Sequence, residues 1–452
     1  MFSPITRDWV ISKESLLGFL NALLLFVQTQ SSCNLSSIDK SNLKLITKAA
    51  GKLGTDLMKL ISKEGSDNII ISPLSILTPM QIILYGAEHP DSSYKEIENY
   101  LEYDILCRNP ETIHDSMSKM LACTRQKTRL HSMISKAPTE MTMTNIFIAE
   151  EKIFEDLKPS FKSGAIKHYG MQLESFSQSD EGSISKMCNR INTLVSLQTS
   201  GAIEHVIDES EMSQQLGAMI MNVTYLKGSW LHEFESTRTS EFYNGGLDNG
   251  KKVPFMSLQN SFLYLNLTLK GSRHLKSQNK SSSKRQPDDE FSHCQVVSLP
   301  IDKHGLTMLI LLPSKIDGLS KLYDVNIYDI MRRLKYSRQV RMRLPKFNFE
   351  RKYHITDYMA QLGMGSLLNH PKLGRMFSQP VDLSEITHKA KINVTETGVE
   401  AAALTQMKLM KSNWRDVDDG KPIPFIADHS FMFATVHMNH PAPLFMGQVV
   451  IL

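Results

Sequence analysis

Histidine and cysteine are the residues whose chemistry could support catalysis or metal binding, and their spacing supports neither. His437 and His440 are three residues apart, but they fall in a predicted strand and turn, where the helical spacing of two metal ligands does not apply. The five cysteines form no C-x-x-C pair and so give no zinc pattern. The chain also lacks the G-x-S-x-G, P-loop and H-E-x-x-H motifs. We therefore expect neither an enzyme nor a bound metal or cofactor.

Cleavage by another protein is a second kind of chemistry, and residues 394–416, VTETGVEAAALTQMKLMKSNWRD, are suited to it. A Gly, a Glu and three Ala lead into a mixed apolar and basic segment that a protease could cut. Because alanine favours helix, the stretch by itself is also compatible with a short helix or a plain surface loop.

Composition indicates a globular chain with a large core. The chain has 452 residues, of which 41% are hydrophobic and 22% charged. The formal net charge of +4 does not by itself indicate nucleic-acid binding. We expect no nucleic-acid partner and a monomer.

The N-terminal residues predict secretion. The apolar run LLGFLNALLLFV (16–27) follows Arg7 and Lys13 and precedes TQSSC, which is the order of a signal peptide. We expect residues 1–33 to be a signal peptide and short leader and 34–452 to be one domain; the alternative is an ordinary N-terminal helix. A secreted chain could be glycosylated at the sequons of Asn34 and Asn279. No later run reaches the ~20 apolar residues of a membrane span.

Helical periodicity is concentrated early in the chain and strand patterns late. A long amphipathic helix is predicted over 42–62, and a short β-branched run and a helix over 68–86. Strands are predicted over 141–150, 216–227, 296–300, 307–313, 338–350, 430–438 and 443–452. The last two strands should form a closing hairpin. This segregation favours an α+β fold over a repeating βαβ pattern.

One basic segment, residues 269–290, stands apart as a predicted loop between two strands. Its basic residues are Lys270, Arg273, Lys276, Lys280, Lys284 and Arg285. They could bind a heparin-like polyanion, or the segment could be a solvated insertion, since charge runs are usually exposed surface.

Several ordered motifs make the sequence, from about residue 42 to 452, resemble the serpins, which are serine protease inhibitors. The motifs are NIIISPLSI (68–76), NVTYLKGSW (222–230), LPKF (344–347), THKA (387–390), ETGVEAAALT (396–405), FIADHSFMF (425–433) and PLFMGQV (443–449). The resemblance implies a large, mostly antiparallel central sheet, two further sheets, about nine helices and an exposed reactive-centre loop, here 396–424.

The resemblance also assigns roles to individual residues. Ser72, Ser75, Asn222 and His388 are expected to form a buried polar cluster, the shutter, where the central strands part. Such a cluster must be fully hydrogen-bonded, because unsatisfied buried polar groups are costly. Trp230 is expected at the breach, where the loop first enters the sheet. The hinge is expected to comprise Glu396, Gly398, Val399, Glu400, Ala401, Ala402, Ala403 and Thr405.

Side chains alternate between the two faces of a strand, and the loop has one face free of charge. Counting by twos from Val399 gives Val399, Ala401, Ala403, Thr405, Met407 and Leu409. Charged residues fall on the other face, at Glu400 and Lys408, and we expect that face to point to solvent. Val399 departs from the Thr or Ser of many inhibitory serpins, but it is uncharged and favours strands.

The bond that a protease would cut is predicted from a count. Sixteen residues after Glu396, the spacing of antitrypsin-like members, is Ser412, and one residue fewer is Lys411. We predict cleavage at Lys411–Ser412, with Arg415–Asp416 and Ser412–Asn413 as alternatives. A basic residue before the bond fits the carboxylate in the specificity pocket of a trypsin-like protease.

Two functions are therefore expected. The first is covalent trapping of a trypsin-like serine protease, in which the cleaved loop enters the central sheet of a metastable fold. The alternative is a non-inhibitory serpin acting as a carrier, storage protein or chaperone.

Overall fold

The computed structural model describes most of the chain from residue 37 onward. Residues 1–36, 66, 104–111, 123–138, 181, 213–216, 247, 271–290, 303–304, 368–370, 400–420 and 439 lie outside the described part. The predicted signal peptide, the Asn34 and Asn279 sequons and most of the basic segment therefore stay predictions.

Helices of the described part surround two β-sheets. They are Ser37–Ser62 (α1), Pro73–Gly86 (α2), Ser92–Leu101 (α3), 112–122 (α4), Glu151–Asp156 (α5), Pro159–Tyr169 (α6), Ser183–Gln198 (α7), Ile327–Arg333 (α8) and Thr356–Met359 (α9). Helix α2 begins with Pro73 at its first turn, where the fixed φ of proline suits a helix start and its missing N–H costs nothing. None of the helices described is both long and apolar enough to span a bilayer.

Fifteen strands complete the described fold. They are Ile69–Ile71 (β1), Glu140–Glu150 (β2), Gln172–Phe176 (β3), Ala218–Ser229 (β4), Ser236–Tyr243 (β5), Gly250–Lys270 (β6), Phe291–Pro300 (β7), Leu306–Pro313 (β8), Ser337–Pro345 (β9), Phe347–His354 (β10), Leu383–Val394 (β11), Gly398–Val399 (β12), Ile423–Ile426 (β13), Phe431–His437 (β14) and His440–Val449 (β15). The predicted α+β class is confirmed.

The central sheet has the strand order β10-β11-β12-β4-β2-β3. Strands β11 and β4 are parallel and pair directly from Leu383 to Ala390. Beyond that point they separate, and the two-residue strand β12 lies between them, antiparallel to both. The central sheet is therefore open at one end, which we call the hinge end, and closed at the other.

The second sheet has the order β1-β15-β14-β8-β7-β6-β9-β13, with β5 beside β6. Strand β6, with 21 residues, joins its two halves. The single strand predicted over 338–350 is wrong, because the chain changes sheet after Pro345: β9 pairs with β6, and β10 pairs with β11. The predicted closing hairpin is confirmed by the pairing of β14 with β15.

Two apolar cores cover the two faces of the central sheet. The larger core contains α1, α2 and the second sheet, and the alternate residues Ile220 and Leu226 of β4 point into it. The smaller core lies beneath α7 on the opposite face, and it takes Met221, Val223 and Tyr225 of the same strand. Both faces of β4 are therefore buried along most of its length.

Candidate functional site

The four residues expected in the polar cluster come together at the point where β11 and β4 begin to separate. Asn222 and His388 are register partners on these parallel strands, so their side chains lie side by side on the same face. Ser72 and Ser75 approach from the start of α2. All four are buried, on the side of the larger core.

Hydrogen bonds connect these residues around the amide of Asn222. Its Oδ1 accepts from the Ser75 hydroxyl and from His388 Nδ1, the latter at 3.0 Å. The backbone N–H of Ser72 donates to His388 Nε2 at 3.0 Å. Because Nε2 accepts, the imidazole proton must be on Nδ1. The cluster thus links α2, β4 and β11 through one neutral histidine.

Two members of the cluster, Thr224 and Asn145, were missed from the sequence. The Thr224 hydroxyl is hydrogen-bonded to Ser75, and Asn145 Oδ1 accepts from Asn222 Nδ2 at 2.7 Å. Thr224 could have been found, because it lies two residues after Asn222 on one strand and so shares its face. Asn145 needed the register of β2 against β4, where it is directly opposite Asn222.

Ser72 is the exception to full hydrogen bonding. Its side-chain hydroxyl is buried and has no hydrogen-bond partner among the described residues. It also does not cap α2, although it occupies the position before the first helical residue. A buried, unpaired hydroxyl costs stability, so the cluster is incompletely satisfied in this state.

Acid should destabilise the protein through His388. Burial lowers the pKa of His388 to about 3, and burial, assisted by His168 and Arg375, lowers the pKa of His114 to about 3. In the unfolded chain both histidines take up a proton near pH 6.5, so the stability they contribute is present above that pH. It is lost as the pH falls toward 3, by up to about 1.4 kcal/mol per pH unit for each histidine.

Urea midpoints at pH 7, 6, 5 and 4 test this expectation. His388→Gln and His114→Gln should each make the urea midpoint less dependent on pH than it is in the unchanged chain. The carboxylates contribute the same pH dependence in the unchanged chain and in both variants, so the difference comes from the histidine. A pH dependence identical in all three proteins would contradict the assignment.

Trp230 holds the residues at the start of the hinge, 395–397, at the open end of the central sheet. The indole Nε1 donates to Thr395 O at 2.8 Å, and the Trp230 backbone N–H donates to Thr397 O at 3.0 Å. The indole ring packs edge-on against Phe234, whose backbone N–H donates to Glu396 O. Trp230 therefore fixes the chain just before β12, at the open end of the central sheet.

The Glu396 carboxylate anchors the hinge to the second sheet. It forms an ion pair with Lys346, which lies between β9 and β10, and accepts from the hydroxyl of Thr237 on β5. Burial raises the pKa of Glu396, but these hydrogen bonds outweigh it and the net shift is downward. Glu396 is therefore ionised in this state.

Gly398 and Val399 form β12 between the two parted strands. Val399 is opposite Val394 of β11 and Gly228 of β4, and it is 1% exposed, within the larger core. A Cβ added at Gly398 would be 2.7 Å from Ser229 Cα and closer still to the Gly228 carbonyl oxygen. Glycine is thus required at 398 by the close approach of the β4 backbone.

Gly398→Ala should displace β12 from the sheet, because backbone atoms of β4 cannot move aside for the new methyl group. We expect Trp230 to lose its hinge contacts and become accessible to solvent. Its emission maximum should shift to longer wavelength and iodide quenching should rise, measured with Trp9 and Trp414 replaced by Phe. Gly51→Ala is the matched control, since that position has open space; an unchanged Trp230 signal in Gly398→Ala would refute the close contact.

Residues 199–212, which follow α7, cross the face of the central sheet opposite the larger core, and we call them the crossing segment. Lysines of β10 and β11 donate to its carbonyl oxygens: Lys391 to Ala202 O at 2.7 Å, Lys389 to His205 O and Lys352 to Val206 O at 3.2 Å. Apolar residues of the crossing segment share the smaller core with β4, so the segment lies over β10, β11 and β4.

The remaining predicted residues are not placed by the structure. Glu400, Ala401, Ala402, Ala403, Thr405, Lys411, Ser412, Asn413, Arg415 and Asp416 lie outside the described residues, as do Arg273, Lys276, Lys280, Lys284 and Arg285. Lys270 ends strand β6. Of the cysteines, Cys188 and Cys294 are described, and both are buried free thiols. No group of three or more potential metal ligands lies together within the described ranges.

Comparison with known proteins agrees with this architecture. The family model Serpin (serine protease inhibitor) matches residues 48–452. Leukocyte elastase inhibitor of Equus caballus is 26% identical over 412 residues, covering 87% of this chain and 96% of its own.

Solved structures give the same fold. Native protease nexin-1 with heparin superposes with a TM-score of 0.71 at 19% identity, over 91% of this chain and 100% of that one. Human thyroxine-binding globulin, solved with its hormone, gives a TM-score of 0.71 at 19% identity, over 91% and 99%. Because the family model matches residues 48–452, and the central sheet is open where Gly398 and Val399 pair with it, this protein belongs to the serpin family.

Proposed function

We propose that this serpin is a suicide-substrate inhibitor of a trypsin-like serine protease, which it traps by inserting its cleaved loop into the central sheet. The observation that carries the proposal is the position of β12. Gly398 and Val399 already pair with β4, and Val399 also pairs with β11, at the open end of the sheet. A strand that continues from Val399 would lie between β11 and β4.

The described pairs predict where each later residue would lie if the strand continued in the same register. Continued in the register of Val399, Ala401 would lie between Ile392 and Leu226, which are both buried in the larger core. Ala403 would lie between Ala390 and Thr224. Thr405 would lie between His388 and Asn222, in the polar cluster. These three residues are small or carry a single hydroxyl, which suits a closely packed layer.

Thr405 would therefore separate the imidazole of His388 from the amide of Asn222 and offer a hydroxyl to both. A hydroxyl can donate and accept, so it can replace the broken bond between them. Insertion would in this way reset the polar cluster without leaving an unpaired buried group.

The opposite face of the inserted strand would not simply point to solvent, as the sequence had suggested, because α7 and the crossing segment cover part of that face. Glu400 would lie beside Lys227, a charge of opposite sign near the open end. Leu404 would lie beside Val223, in the core beneath α7. Lys408 would lie level with Glu385. Each charge of the inserting strand thus meets its opposite.

The chemical step belongs to the protease. Its serine oxygen attacks the carbonyl carbon of Lys411, the Lys411–Ser412 C–N bond breaks, and Ser412 leaves with a protonated amine while an ester joins Lys411 to the protease. Insertion from Val399 onward would then move the attached protease before water cleaves the ester. The strand would add backbone hydrogen bonds on both sides, so the uninserted fold would be the metastable one.

Incubation with trypsin-like proteases tests the proposal. We expect a complex that survives SDS and a released C-terminal peptide whose mass shows that it begins at Ser412. A peptide that begins at Asp416 would instead place the cleaved bond at Arg415–Asp416, and one that begins at Asn413 would place it at Ser412–Asn413. Complete cleavage without any complex would refute inhibition.

The second candidate is a non-inhibitory serpin that acts as a carrier, and the fold likeness to thyroxine-binding globulin supports keeping it. Thermal melting before and after loop cleavage separates the two. A large rise in the melting temperature on cleavage is expected if the loop inserts, and no rise is expected of a carrier whose loop stays outside.

We also propose that the protein is secreted and that segment 269–290 binds heparin-like polyanions. The first is supported by the N-terminal apolar run, and the second by the basic composition of the segment and by the family fold shared with protease nexin-1, solved with heparin. N-terminal sequencing of the secreted protein tests the first.

A further inference from the structure

A cavity of about 260 Å³ lies between the end of α2, the start of α6 and residues 371–377, which precede β11. We call it the α2–α6 cavity. It has room for several water molecules, at ~30 Å³ each, or for one small organic molecule. Its rim residues Ser160 and Arg375 are exposed, so it opens to solvent on one side. Its lining residues, none of which belongs to the polar cluster or the hinge, are Tyr85, Lys158, Ser160, Phe161, Gly374 and Arg375.

Positive charge lines the α2–α6 cavity. Its charged lining residues are Lys158 and Arg375, and neither forms an ion pair within the described part of the chain. The Lys158 ammonium donates to the carbonyl oxygen of Gly374, and Arg375 Cζ lies 5.5 Å from the centroid of the Tyr85 ring. Both of these partners are neutral. Most N–H donors of the two cations therefore remain available to an anion.

Two aromatic rings give the α2–α6 cavity an apolar wall. The ring centroids of Tyr85 and Phe161 are 5.8 Å apart, and the ring planes are tilted by 32°. The Tyr85 ring is held against α6, because a glycine there leaves space for its hydroxyl: a Cβ added at Gly164 would be 2.0 Å from Tyr85 Oη. The wall is thus formed before a ligand arrives, which spares the ligand the cost of ordering it.

Two carboxylates beside the α2–α6 cavity limit the negative charge that a ligand can carry. Glu88 packs against Gly374, where an added Cβ would be 1.7 Å from Glu88 Oε1. Asp156, at the end of α5, accepts from the backbone N–H groups of Ser378 and Gln379 at 2.9 Å each. Neither carboxylate lines the cavity, but a ligand with several negative charges would be repelled by both. The surroundings therefore favour a single negative charge.

These features together select the class of ligand. The two cations suit a carboxylate, the aromatic wall suits an apolar body, and the neighbouring carboxylates disfavour a second negative charge. We propose that the α2–α6 cavity binds a small organic acid that has one carboxylate on an apolar body. The carboxylate contacts Lys158 and Arg375, and the body packs on Tyr85 and Phe161. This binding does not depend on protease trapping.

Calorimetry with 2-naphthoate, an aromatic monocarboxylate, tests the proposal on the full, uncleaved chain. The neutral 2-naphthamide and inorganic phosphate each lack one of the two required features, so each should bind at least tenfold more weakly than 2-naphthoate. Arg375→Gln should weaken 2-naphthoate binding by about tenfold or more, the usual effect of removing a hydrogen bond to a charged group. Arg332→Gln is the matched control, because it removes the same charge from an exposed residue of α8. It should bind 2-naphthoate as the unchanged chain does.

Ser160→Phe tests the location of the site without changing its charge. The new ring should fill part of the cavity and weaken binding of both 2-naphthoate and 2-naphthamide. Urea midpoints of Ser160→Phe and Arg375→Gln check that both variants fold, which is expected because both side chains are exposed.

Four results would overturn the proposal. They are no binding of 2-naphthoate, equal binding of the acid and the amide, binding that Arg375→Gln and Ser160→Phe leave unchanged, and an equal loss in Arg332→Gln and Arg375→Gln. Complex formation with trypsin, assayed in parallel, reports separately on protease trapping.

Discussion

Ala403→Arg is expected to convert the inhibitor into a substrate. In the register set by Val399, residue 403 would enter between Ala390 and Thr224, which are both fully buried in the structure. An unpaired guanidinium in this layer costs roughly 3–5 kcal/mol, and each ~1.4 kcal/mol added to the barrier slows insertion tenfold. The acyl-enzyme would hydrolyse first. Gel electrophoresis after trypsin treatment should show cleaved serpin and at least a tenfold loss of covalent complex.

Ala403→Ser is the matched control, because a hydroxyl adds little volume and can bond to Thr224. It should still form the complex. Glu400→Gln tests the other face: it should also keep inhibition, since residue 400 would lie beside the half-exposed Lys227 and Asn393. Undiminished complex formation by Ala403→Arg would show that the loop does not enter in this register.

Asn222→Ala is expected to cause the largest loss of stability. The amide of Asn222 bonds to Ser75, His388, Thr224 and Asn145, and all of these partners are buried. Removal leaves at least two of them unsatisfied at about 1–3 kcal/mol each, so we expect a loss of about 4 kcal/mol. Urea unfolding followed by circular dichroism measures it as a lower midpoint.

Ser72→Ala is the contrasting control within the same cluster. The Ser72 hydroxyl has no partner among the described residues, and the bond from Ser72 to His388 comes from its backbone, which alanine retains. The substitution should leave the urea midpoint unchanged or raise it. A loss as large as that of Asn222→Ala would mean that Ser72 has a partner in solution.

Sequence patterns located the polar cluster but not all of its members. Asn222 and His388 lie in recognisable motifs, whereas Asn145 is a lone amide in the apolar run MTMTNIFIAE. Its role depends on strand register between segments 77 residues apart, and no local pattern encodes that. The requirement for glycine at 398 likewise arises from the backbone of β4, which is distant in sequence.

Strand prediction failed where two sheets share one stretch of chain. In residues 338–350 the apolar positions run through Val340, Met342 and Leu344 and then change phase to Phe347 and Phe349, where β9 gives way to β10 of the other sheet. A single strand keeps one phase, so this change was one available signal. Pro345 was the other, because proline cannot donate to a ladder. The cover that α7 provides on one face of the central sheet is likewise a tertiary contact, and the alternation of residues along the loop cannot reveal it.

The lysine bonds to the crossing segment impose an order of events on insertion. A strand that grows from Val399 would reach the level of Lys391 first and that of Lys389 two residues later, while Lys352 lies on the next strand outward. Each bond could open separately as the strand tip passes. Each bond to a lysine is worth about 1.5–3 kcal/mol, and opening the three in turn avoids losing their sum in one step. The ion pair of Lys352 with Glu211 and the apolar contacts of the crossing segment with β4 must open as well. Because its bonds to the lysines can open one after another, the crossing segment can cover the sheet in the uncleaved protein. It can still let the cleaved loop insert before the acyl-enzyme is hydrolysed.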